Sequence, residues 1–259
     1  MAKLVWDADG ERLYETGVRN GVLYVKKTDG TYDEGVAWNG LTAVNESPEG
    51  AETNPLYADD MKYLNLLSVE EFNATIEAYT YPDEFNDCIG YSELAAGMLA
   101  GQQARKAFGF CYRTTVGNDE LFDEYGYKLN IIYGCLAAPS DRDHETMNDD
   151  PDAITFSFEV STTPVTVTGF KPTSHLVIDS TKMAADKLAI LEASLYGVTA
   201  EAFSATKAYK AGDAVTQSTK TYIAKQAIAA GQFDATKWVE VEDAGPHLLL
   251  PDALLALIS

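Results

Sequence analysis

From Ile154 to Val160 every second side chain is large and apolar, with Ile154, Phe156, Phe158 and Val160 interleaved by Thr155, Ser157 and Glu159. A period of two sends alternate side chains to opposite sides of an extended chain, so this segment is a strand with one face in a core. The same logic extends along the chain. Phe72 to Tyr79 reads as a strand with one wet face, Lys106 to Val116 and Tyr127 to Leu136 as further strands, and Leu176-Val177-Ile178 as a short buried one. Val22 to Lys27 leads into Thr28-Asp29-Gly30-Thr31, a tight turn returning as a strand from Val36 to Val44. Helical spacing is clear in one place: Ala184, Leu188, Leu191 and Leu195 fall on one face of a helix. The expected fold is therefore mainly β, a sandwich or barrel with one flanking helix.

Two stretches resist both patterns. Asn45 to Pro55 combines two prolines, a glycine and three glutamates, which predicts a long exposed loop, extending to Asp60, that orders only on contact. Pro139 to Asp152 holds five aspartates and one glutamate and reads as an acidic loop. The helix ends at Leu195-Tyr196-Gly197, and the chain closes with Gly245-Pro246-His247-Leu248-Leu249-Leu250-Pro251-Asp252. Between them Tyr209 to Val241 forms a separate small unit; counted from Lys207 it has five lysines against three acids, so its net charge is +2 and the rest carries −23. The expected organisation is one domain of residues 1–203 and 244–259 interrupted by a β-rich module of residues 204–243.

Length and charge narrow the function. A chain of 259 residues can bury an ample core, and a net charge of −21 argues against gripping a polyphosphate backbone. Cys88, Cys111 and Cys135 form no close pair, as expected of reduced thiols in a cytoplasmic product. The amino terminus lacks the apolar run of a signal peptide, and the apolar stretch near Leu248 to Ile258 is cut by Pro251 and Asp252, well short of the roughly 20 residues that span a bilayer. His144, His175 and His247 are scattered; His144-Glu145 begins like a zinc-binding helix but has no second histidine, so a solvated acidic loop is the expectation there. With no nucleophile elbow, phosphate-binding loop or dinucleotide fingerprint, neither an enzyme nor a cofactor or metal site is expected.

One segment carries more than its composition. Gly101-Gln102-Gln103-Ala104-Arg105-Lys106-Ala107-Phe108-Gly109-Phe110-Cys111-Tyr112-Arg113-Thr114-Thr115-Val116-Gly117-Asn118-Asp119 resembles the G-Q-x-x-R-x-x-F-x-F-x-Y-R-T-x-x-G-N-D pattern of the major tail (tail tube) proteins of long, non-contractile-tailed bacteriophages. Tyr127 to Pro139, Thr146 to Pro151 and Phe156 to Val165 keep that family's order, and Leu248 to Asp252 with Leu254 and Leu255 resembles its ending. The resemblance spans residues 20–200 and the carboxy-terminal tail. It implies a virion protein, made in the host bacterial cytoplasm, that self-assembles into stacked hexameric rings. Its partners would be other copies and the tape-measure, tail terminator and baseplate proteins of the same phage, with no membrane. DNA would pass through an acidic lumen without specific binding. Ring stacking needs a contact that never closes on itself, for which the loop carrying Glu46, Glu49, Glu52, Asn54 and Tyr57 is the candidate.

Ala208 to Val239 is similar to the small chitin-binding type of carbohydrate-binding module, with Tyr209-Lys210-Ala211-Gly212-Asp213-Ala214-Val215, Tyr222-Ile223-Ala224, Gly231 and Trp238 as landmarks. A host-surface glycan would stack on Tyr209, Tyr222 or Trp238, although Gln226-Ala227-Ile228 stands where binding aromatics are expected, and the three rings also suit a miniature core. The rival reading from another class is a soluble glycan-binding protein on a β-sandwich scaffold.

Overall fold

The computed structural model describes residues 3–142, 144, 146 and 152–258; half of the acidic loop expected at Pro139 to Asp152, including Glu145, lies outside them. The fold is mainly β. In chain order its strands begin with β1 (Tyr14–Val25), β2 (Val36–Trp38) and β3 (Leu41–Glu49). A hairpin of β4 (Thr53–Ala58) and β5 (Met61–Leu67) follows, then β6 (Glu71–Ala78) and a second hairpin, β7 (Ser92–Ala95) and β8 (Met98–Ala100). The long central strands β9 (Phe108–Asn118) and β10 (Phe122–Ala137) precede β11 (Phe156–Thr162), β12 (His175–Asp179) and the helix α1 (Ala185–Tyr196). Four short strands, β13 (Ala200–Ala202), β14 (Ala214–Gln217), β15 (Lys220–Ala224) and β16 (Trp238–Val241), make a second sheet, and α2 (Pro251–Leu257) ends the chain.

The main sheet runs β2-β1-β9-β10-β11-β6-β3 and curls until β3 lies beside β1, where Leu41 packs over Gly21. β10 is long enough to serve two partners on one side: Lys128 to Ile132 pair with β12, and Cys135 to Ala137 pair with β11. The alternation expected from Ile154 holds from Phe156 onward, with Phe158 and Val160 buried in a core shared with Leu23, Trp38, Ile76, Phe85, Phe108, Phe110 and Ile132, while Ile154 lies before the strand and is 40% exposed. The opposite face of β1, β9 and β10 supplies Val22, Tyr24, Cys111, Leu129, Ile131 and Tyr133 to a second core, closed by Leu188, Leu191 and Leu195 of α1 and by Leu248 and Leu254. Each such side chain taken fully out of water contributes about 1.5–3 kcal/mol. Tyr133 and Tyr32 bury their rings without orphaning the hydroxyls: Tyr133 Oη donates to Leu249 O at 3.0 Å and Tyr32 Oη accepts from the Gly134 amide at 3.1 Å.

Four sequence expectations change. Val36 to Val44 is two strands rather than one, because the chain turns at Gly40 and leaves β1 to pair with β6. Asn45 to Pro55 is not a loop: Asn45 to Glu49 complete β3, and Asn54 and Pro55 belong to β4. Pro48 is tolerated because β3 is an edge strand, where a missing amide breaks no second ladder. Of the expected buried strand at Leu176 to Ile178, Ile178 alone is buried and Val177 is 48% exposed. A second helix, α2, stands at the carboxy terminus, with Pro251 in its first turn and Asp252 accepting from the amide and hydroxyl of Thr168 at 2.9 and 2.7 Å.

The second sheet is tied to the first unit at both ends. Gly197 (φ 72°) ends α1 so close to the returning chain that a Cβ there would lie 2.9 Å from Pro246 N, and Val198 donates its amide to Ala244 O at 2.8 Å. β13, upstream of Ser204, pairs in parallel with β14 and so joins the module's sheet. Helix α1 is apolar on two faces because it lies between two sheets: opposite its leucine stripe, Ile190 and Ala193 pack with Ala214, Ile223 and Leu257.

Candidate assembly surface

Strands β3 and β6 run on beyond the main sheet as β4 and β5, so residues 41–78 make one long hairpin with a joint in its middle. At the joint Gly50 and Ala51 have φ values of 83° and 52°, and a Cβ on Gly50 would sit 2.1 Å from Val69 O. Glycine alone fits there. The joint is laced by Glu52 N donating to Ser68 Oγ and Ser68 N donating to Glu52 O, both at 3.0 Å. At the tip Asp59 and Asp60 have φ values of 50° and 62°, the left-handed pair that a two-residue turn needs for its twist to match the strands.

Both faces of this arm carry apolar side chains. The register places Leu56, Leu64 and Leu66 on one face, and Pro55 and Leu67 on the other. Tyr57, Met61, Tyr63 and Val69 are between 67% and 82% exposed. A two-stranded ribbon covered on neither side is marginal in water, and a contiguous bare apolar surface marks a contact with another macromolecule.

The residues named from sequence divide across this geometry. Asn54 and Tyr57 lie on the arm, Glu52 at the joint, and Glu49 sits opposite Glu71 in the last pair before the joint. Glu46 lies apart from the arm, on the side of β3 that carries Val44: it accepts the Tyr112 hydroxyl and lies 3.7 Å from His175 Nε2, while its side chain stays 38% exposed. The aromatic pair Tyr209 and Trp238 is a correction. They are 3% and 4% exposed and pack with Phe203 and Phe233 around Val215, Ala224 and Ile228. A ring inside a core has no open face for a sugar. Tyr222 is half-buried, its ring 5.0 Å from that of Phe233.

The sequence reading missed the returning half of the arm, Met61 to Leu67. Its signal lay in the apolar residues flanking Asp59-Asp60, which are themselves turn formers. Elsewhere the chemistry is quiet. Burial pushes the Cys88 and Cys111 thiols up to about 12, and that of Cys135 also upward. Among the described residues no three His, Cys, Asp or Glu side chains come together to hold a metal ion, and no helix is long and apolar enough to cross a membrane.

Against known proteins, no family model and no curated protein matches this chain. Among solved structures, a chain of the anti-feeding prophage baseplate, determined by six-fold symmetrised cryo-electron microscopy, is similar over 70% of this chain and 100% of its own. The TM-score is 0.33 and the identity 8%. A likeness this slight leaves function to be argued from the geometry of the chain itself.

Proposed function

We propose that this chain is a structural, non-catalytic virion subunit that assembles with copies of itself into stacked hexameric rings, forming a phage tail tube through which DNA passes. The observation that carries the reading is the arm of β4 and β5, apolar on both faces and left largely uncovered by the described residues of its own subunit. An inserted arm of this kind is satisfied only by another molecule, and a contact between different surfaces of identical subunits propagates instead of closing. The motif run from Gly101 to Asp119, which lies across β9, supports the same reading. A net charge of −21 suits a passage along which phosphates slide without sticking. The second sheet faces outward on this proposal, since a module in the lumen would block it. With Tyr209 and Trp238 buried, adhesion to a glycan is not its first role.

Negative-stain microscopy of the concentrated purified protein tests the proposal, beside a variant with Leu56→Ser, Leu64→Ser and Leu66→Ser on the arm. Rings or tubes from the parent and folded monomers from the variant are expected. Tubes from the variant at the parent's concentration reject the arm as the contact, and a parent that stays monomeric at every concentration rejects assembly.

A further inference from the structure

The main sheet closes unevenly, and the uneven place is held by side chains. β12 pairs with β10 on one edge, while beyond β11 its other side faces the roots of β3 and β6, with which it shares no ladder among the described residues. Four side chains meet across that seam. The His175 ring stacks on Phe72 of β6, with centroids 4.6 Å apart and planes 27° from parallel. His175 Nε2 points at Glu46 Oε1 of β3 at 3.7 Å, and the same oxygen accepts the hydroxyl of Tyr112 from β9. His175 Nε2 is buried and has no hydrogen-bond partner.

We propose that His175, Glu46, Phe72 and Tyr112 form a proton-sensitive clasp that fastens the roots of β3 and β6, and hence of the arm, to β12. In its neutral form the imidazole closes the seam as an apolar plate on Phe72. A proton taken up at Nε2 puts a cation in a site shielded from water, with Glu46 to answer it. Other charged and titratable groups near the clasp are Glu15 of β1 and Lys128 of β10, joined in an ion pair, with Asp179 of β12 near Lys128, Cys111 of β9, and the Tyr112 phenol, whose ionisation burial and Glu46 drive far upward. Burial lowers the His175 pKa below its ordinary value of 6.5 against the opposing pull of Glu46. The folded seam therefore binds the proton more weakly than the open one. Its stabilisation is complete above the unfolded value of about 6.5 and is lost as pH falls through the lower folded value. Acid opens the seam.

Two measurements on the full chain, with the arm variant above as background to keep it monomeric, test this independently of assembly. Proton NMR titration of the imidazoles is expected to give one histidine titrating below 6.5, assigned by its loss in His175→Gln and moved lower still by Glu46→Gln. Hydrogen exchange corrected for its intrinsic pH dependence should show residues 41–49, 71–78 and 175–179 opening more as pH falls, by at most about tenfold per pH unit, the limit for one proton. That dependence should vanish in His175→Gln. A wild-type His175 titrating at or above its ordinary value overturns the clasp, as does a pH dependence of those segments that survives in His175→Gln. The first titration, with His175 and Glu46 both in place, needs no clasp variant to fold.

Discussion

Trp238 is the ring on which Phe203, Tyr209 and Phe233 all rest, at centroid separations of 6.2, 5.3 and 5.7 Å. Trp238→Ala is expected to cost about 3–5 kcal/mol by opening a cavity in so small a core. Denaturant unfolding followed by far-ultraviolet circular dichroism measures the loss, and a glycan array on the wild type decides whether the residue also binds sugar. Unchanged stability with lost sugar binding would restore the exposed-platform reading. Asp243 offers a second residue-level expectation. The His247 ring, with Nε2 at 2.7 Å, and the Gly245 amide hold its carboxyl below the usual carboxylate value of 3.8. A folded value beneath the unfolded one means stabilisation that is present above about 3.8 and fades as pH falls through the folded value. Asp243→Asn should therefore weaken the protein at neutral pH but converge with the parent under acid. Acid titrations of the two proteins, monitored by fluorescence, would contradict this if the gap stayed constant.

Among the elements, the excision of residues 204–243 is the informative experiment. Joining the ends is geometrically simple because Gly197 already touches Pro246, yet the cut strands β13 without β14 and bares Ile190, Ala193 and Leu257. Each large apolar side chain so exposed forfeits about 1.5–3 kcal/mol, so the excised protein should be less soluble and melt lower than the parent. Adding Ile190→Gln and Leu257→Gln should recover solubility; an excised protein that melts like the parent without them would show that the second sheet contributes nothing to the first unit. β11 and α1 were legible in the sequence because each buries a stripe that repeats along a single segment. β3 was half legible: Leu41 to Val44 read as strand, but Asn45 to Glu49 owe their strand state to Glu71 to Thr75, far along the chain, which local composition cannot report. β13, Ala-Glu-Ala, has no periodicity at all and exists only through its parallel pairing with β14. The contacts of Glu46 were illegible for a similar reason, since Tyr112 and His175 meet its carboxylate from β9 and β12, far along the chain.

For the whole molecule, charge and apolar surface act in opposition. A subunit with a net charge of −21 repels its copies over a range set by the Debye length, about 10 Å at 0.1 M salt, whereas the arm contact proposed above would attract at short range. Raising ionic strength should therefore favour assembly and lower the protein concentration at which it begins. Sedimentation of the pelletable fraction across a salt series tests this, and assembly suppressed by salt would point to contacts made by opposite charges instead. The touching ends at Gly197 and Pro246 have a consequence for engineering. They make the subunit a socket into which another polypeptide with neighbouring termini could be spliced, and a polymer of such subunits would carry the cargo at regular intervals along its length. Geometry alone does not qualify a cargo, however. Because α1 turns Ile190 and Ala193 toward the socket, the guest must bring an apolar surface of its own to cover them.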